Sequence, residues 1–164
     1  MPAGLADQLK SRQEFLDLSR FLSVLGHPGA FSNDERPYIR KWRIAPANGG
    51  IPSADEAAWL PAYGLVSGEL PSSDFDQGDI VHVRGFVEML AAGEIRLRIN
   101  QLKGLQLSVD GQAVSDPAGA LSLAKGRRTL TFRIDRSKRG NTGLQVEITA
   151  PEGSTAKFRP EGGI

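Results

Sequence analysis

Between Gly93 and Val114 the chain alternates between apolar and polar residues with a period of two. Ile95, Leu97 and Ile99 hold the odd positions of one run, and Leu105, Leu107 and Val109 those of the next. Successive side chains of a strand point to opposite faces, so this pattern specifies half-buried strands rather than helix. Asp110-Gly111 follows directly. That pair suits a two-residue hairpin turn, in which both central residues take positive φ. Antiparallel structure with one packed and one wet face is thereby predicted.

Other segments extend the pattern. Strands are expected at Tyr38–Ile44, Tyr63–Val66, Ile80–Met89, Thr129–Ile134, Leu144–Ile148 and Thr155–Phe158. Val81, Val83, Val87 and Met89 share one face of the longest run. Leu130, Phe132 and Ile134 point inward from the next, as do Leu144, Val146 and Ile148 from the one after. The 19 Gly and 10 Pro fit frequent turns. Short strands at such spacing predict a mainly β fold, an antiparallel β-sandwich or jelly roll, preceded by an N-terminal α-helix.

That helix is read over residues 11 to 25. Ser11 and Glu14 form an S-x-x-E capping box, and Phe15, Leu18, Phe21, Leu22 and Leu25 follow at helical spacing. Gly26-His27-Pro28-Gly29 ends it. A second capping box, Ser53 with Glu56, predicts a short helix from Ser53 to Leu60 that Pro61 stops.

With 164 residues the chain is long enough for a core that needs no staple. It has no Cys, so by itself it forms no disulfide, thiolate metal site or covalent c-type haem. Twenty basic against 19 acidic residues give a net charge of +1, which argues against nucleic acid as a partner. No run approaches the apolar length of a membrane span. No basic segment followed by an apolar region marks a secretion signal at the N-terminus.

Candidate chemistry is sparse. His27 lies in the helix stop, and His82 lies between Val81 and Val83, facing away from their side. Neither has the spacing of a metal site. Asp74, Asp76 and Asp79 resemble part of a calcium loop but lack its closing Glu, so a solvated turn is expected. Carboxylate chemistry by these three would make a small hydrolase, the reading with least support. Arg127, Arg128, Arg133, Arg136, Lys138 and Arg139 lack interleaved aromatic rings for bases and read as a solvated face. Trp42 and Trp59 could stack sugars, as exposed rings do in carbohydrate-binding sandwiches, or could pack in a core.

Two stretches carry a family resemblance. Met1-Pro2-Ala3-Gly4-Leu5 with Gln13–Leu18 and Phe21-Leu22 resembles the end of a c-type cytochrome domain. Gly93–Val114 with Leu121–Phe132 resembles the tail of large planctomycete/verrucomicrobial-type haem-binding proteins, which look like dehydrogenases joining a β-propeller, helical repeats and a cytochrome c domain. The resemblance implies that residues 1–26 are the terminal helix of a cytochrome c-like domain. Residues 27–37 would be a connector, and 38–164 a β-sandwich accessory domain. It implies haem c in the longer parent, with Met1 as an axial ligand; the alternative is that Met1 is an initiator. The attachment motif Cys-x-x-Cys-His is absent from this chain.

On this reading the sandwich is a non-catalytic docking or recognition module of an extracytoplasmic, periplasmic electron-transfer protein. Its partners would be the cytochrome domain, and a glycan or redox protein. The β part also resembles the sugar-binding domain of the anthrax protective-antigen type, which makes a carbohydrate-binding module the alternative. Leu102-Lys103-Gly104 stands where that family carries an acidic loop.

Overall fold

A computed structural model describes residues 11–24, 37–46, 59–75 and 78–162. The chain divides into two compact units, Met1–Glu35 and Arg36–Ile164. In the first, α1 spans Arg12–Val24. The backbone N–H of Glu14 donates to Ser11 Oγ at 3.2 Å, so Ser11 caps the helix as the sequence implies. Phe15, Leu16, Leu18, Phe21 and Leu22 are exposed.

The second unit is a sandwich of two antiparallel sheets. Its strands are β1 (Lys41–Pro46), β2 (Leu60–Tyr63), β3 (Glu69–Leu70), β4 (Ile80–Ala91), β5 (Gly93–Ile99), β6 (Leu105–Val109), β7 (Gln112–Val114), β8 (Ala120–Leu123), β9 (Gly126–Asp135), β10 (Leu144–Thr149) and β11 (Lys157–Pro160). The order in the larger sheet is β2-β1-β4-β9-β6-β7, with β11 also paired to β4. The smaller sheet runs β3-β10-β5-β8.

β4 organises the larger sheet. β9 pairs with it from Ile80↔Asp135 to Met89↔Gly126. β1 pairs with its first half and β11 with its second, Trp42↔Gly85 and Phe158↔Met89 being examples. Since β9 takes one edge for ten residue pairs, β1 and β11 follow one another along the opposite edge. The chain also passes between sheets. Tyr38 bridges Glu147 on β10, whereas Lys41 onward pairs with β2 and β4.

Alternation then fills the space between the sheets. Val81, Val83, Val87 and Met89 from β4 meet Leu130, Phe132 and Ile134 from β9, Ile95 and Leu97 from β5, and Leu144, Val146 and Ile148 from β10. Trp42 is wholly buried, its ring edge-on to Phe132 at 5.8 Å between centroids. Gly85 makes room for it: a Cβ there would lie 2.9 Å from Trp42 Cζ3.

The predicted hairpin is present. Asp110 has φ 49° and Gly111 φ 84°, so both central residues are left-handed. The Asp110 carboxylate accepts the Thr129 N–H at 2.8 Å and pairs with Arg128 at 3.1 Å, fixing the turn to β9.

Two expectations change, and a third falls mostly on residues that are not described. The predicted helix Ser53–Leu60 lies outside the described residues except for Trp59 and Leu60, and Leu60 opens β2. The strand expected at Tyr63–Val66 is instead Leu60–Tyr63 and contains Pro61. Proline is tolerated because, among the described residues, β2 pairs with β1 alone and so lies at the sheet edge. Arg139 is not part of a solvated face but is 3% exposed. Its guanidinium donates to the carbonyls of Gln101, Thr142 and Gly143 and to Asn100 Oδ1, clamping the β5–β6 connection to the turn before β10.

Phe132 has no exposed surface. Truncation to Ala is expected to lower the unfolding free energy by about 3–5 kcal/mol through lost burial and a residual cavity. Urea denaturation checks this; a loss below half that range would contradict the packing described.

Candidate functional site

The outward-facing side of β4 carries His82, Arg84, Phe86 and Glu88, set off from the inward Val81, Val83 and Val87 by the strand's period of two. Register then assembles two rows across the larger sheet. One runs Ala45, His82, Arg133, Gln106. The next runs Arg43, Arg84, Thr131, Ser108, Ala113. Residues distant in sequence become neighbours on one face.

Rings and guanidiniums cover part of this face. Arg84 stacks over Trp59 at 3.8 Å and Arg127 over Phe86 at 3.9 Å. Such contacts bury the ring and leave the cation partly hydrated. Arg127 also pairs with Glu161 at 2.7 Å, and Glu161 pairs with Lys41 at 2.9 Å. The hydrogen bond from Lys41, then that from Arg127, holds the Glu161 carboxyl below its ordinary range.

Beside the stacked rings lies a pocket of about 250 Å³. His82, Arg133, Gln106, Ser108, Thr131 and Ala113 line it, with Leu107 and Val114. His82 is 2% exposed, and neither Nδ1 nor Nε2 has a hydrogen-bond partner among the described residues. A buried imidazole without partners forfeits the solvation of both nitrogens, which is costly unless something else satisfies them. Burial, then the Arg133 charge, then that of Arg84, pushes its pKa down. His82 is therefore a neutral imidazole at pH 7, offering one N–H and one lone pair. Among the described residues, no carboxylate lines the pocket.

The residues singled out in the sequence are placed as follows. Trp42 is 0% exposed and Trp59 3%, the latter under the Arg84 guanidinium, so neither presents a free ring face for a sugar. Both rings serve packing. Asp74 lies in a single 3-10 turn, Ser72–Phe75, and is exposed, as is Asp79. Met1, His27 and Asp76 lie outside the described residues. No cluster of three His, Asp or Glu able to hold a metal occurs among the described residues. No helix among them is long and apolar enough to cross a membrane.

Sequence reasoning put His82 on the outer face but attached no site to it. The signal was present in principle: a histidine at an outward position of a central strand, between two buried valines, opposite an arginine in register. What could not be read was the pairing of β6 with β9, which brings Gln106 and Ser108 to the same place.

No protein-family model matches the chain, and no curated protein matches it.

The lowered pKa of His82 has a consequence for stability. The unfolded chain takes up the proton near the ordinary value of 6.5, whereas the folded chain resists it. Stability from this source is complete above that value and declines as pH falls below it. Replacing His82 with Gln is expected to flatten the fall in unfolding free energy from about pH 7 to about pH 5, above the carboxylate range. Urea denaturation across that window reads the slope; an unchanged slope would contradict the assignment.

Proposed function

We propose that the sandwich is a non-catalytic recognition module that binds a small polar ligand, of carbohydrate type, in the His82 pocket. The observation that carries this reading is the buried imidazole at the wall of a cavity, its two nitrogens without a partner among the described residues. A hydroxyl both donates and accepts, so it answers a neutral imidazole, and Ser108, Thr131 and Gln106 supply further polar contacts. Ala113 gives an apolar surface for the C–H face of a ring. The mode differs from stacking on Trp42 or Trp59: recognition rests on polar groups of the sheet face.

The larger context we propose is a C-terminal accessory domain of a haem-containing, extracytoplasmic electron-transfer protein. The exposed stripe of α1, with Phe15 51% and Leu22 50% exposed, supports the idea that this helix closes a different domain. Covalent haem requires thiols, and this chain has no Cys, so the chain alone does not fit a c-type haem. The haem would belong to the parent, and its cytochrome domain would be the partner of α1.

Two measurements test these proposals separately. Ala113 is exposed on β7, so Ala113→Trp should fill the pocket with little loss of stability. Ligand-observed NMR against a saccharide panel should show binding to the native chain and its loss in the filled variant. Binding that survives the filling would move the site elsewhere. For the parent, an open reading frame upstream of the Met1 codon encoding Cys-x-x-Cys-His is the expected result. A stop codon in frame there would overturn the haem context and leave the module standing.

A further inference from the structure

The pocket's charge adds a constraint on the ligand. Arg133 is half-buried at the pocket wall, opposite His82 in register. Its guanidinium has no ion-pair or hydrogen-bond partner among the described residues. This sets it apart from Arg127 and Arg128, which pair with Glu161 and Asp110, and from Arg139, which is satisfied by carbonyls. Arg84 lies in the adjacent row and adds positive potential from its position over Trp59. Among the described residues no carboxylate lines the pocket, so the Arg133 guanidinium stands uncompensated beside the His82 imidazole. A cation would be repelled there, and an anionic group would be drawn to Arg133.

Size and the remaining walls narrow the choice. A cavity of about 250 Å³ lies below the range usual for drug-sized ligands and suits a single sugar ring. Ser108, Thr131, Gln106 and His82 call for several hydroxyls rather than for a compact, fully charged ion. Resting on the recognition reading above, we infer that the pocket takes a sugar acid, a single hexuronate ring whose carboxylate meets Arg133 while a hydroxyl meets His82. The ring is either free or the terminal residue of a longer chain.

Isothermal titration with glucuronate, glucuronamide and glucose tests the inference on the whole chain. Glucuronate should bind at least about tenfold more tightly than its two neutral counterparts, the margin expected for a charge-assisted contact. Arg133→Gln should remove that margin, bringing glucuronate to the affinity of its neutral counterparts. Arg133 is on the outer face, and the thermal midpoint of this variant should match the native one. Methyl glucuronide in place of glucuronate distinguishes sources: retained binding assigns the terminal residue of a chain, and lost binding assigns the free acid. Equal binding of all three sugars, insensitive to Arg133→Gln but abolished by Ala113→Trp, would overturn the sugar-acid inference while the recognition module stands. Binding of none of them, with no effect of any saccharide on the pocket, would overturn both.

Discussion

The register of β4 is the constraint on which core and pocket both depend. Because its side chains alternate, the strand supplies Val81, Val83, Val87 and Met89 to the space between the sheets and His82, Arg84 and Phe86 to the other side. A slip of one residue against β9 would exchange the two sets, driving His82, Arg84 and Glu88 toward the core. The long ladder with β9, and the fit of Trp42 over Gly85 on the opposite edge, oppose that slip. The hydrophobic effect that fixes the core thus fixes the place of the imidazole, and the site needs no loop to hold it.

Arginine is handled in several physical ways within this one domain. Arg139 is buried without a carboxylate, and carbonyl oxygens and one side-chain amide oxygen meet its N–H groups. Burial lowers its pKa, yet a guanidinium starts so high that it keeps its charge. Arg84 and Arg127 lie over rings. Arg128 and Lys138 join surface ion pairs with Asp110 and Asp135, each with one partner exposed and one half-buried, and surface pairs add little stability. Hydrogen bonds from Ser137 and then Lys138 keep the half-buried Asp135 carboxyl below its ordinary range. Arg133, by contrast, is left facing the pocket, and its difference from the rest gives the site its sign of charge.

Much of the sandwich was legible in the sequence because its determinants are local. The alternation in β5, β6, β9 and β10, the Asp110-Gly111 turn and the Ser11 cap all operate within a few residues. β3 has two residues and β8 four, too few for periodicity to declare them, and pairing with β10 and β5 defines them. Pro61 read as a terminator because the edge position that accommodates it is a property of the sheet. The pocket was hidden for the same reason: β4, β9, β6 and β7 contribute to it, and their order is tertiary information. Trp42 and Trp59 drew attention as large rings, but burial decides a ring's role, and both are inside.

The most direct measurement is the ring-nitrogen NMR of His82 in the native chain, recorded at neutral pH with and without a bound saccharide. The expected result is a neutral imidazole whose two nitrogens shift on ligand addition as they gain hydrogen bonds, while core signals such as Phe132 stay fixed. Ring nitrogens that remain unmoved by a saccharide bound elsewhere on the protein, or that titrate as a solvent-exposed histidine, would contradict it.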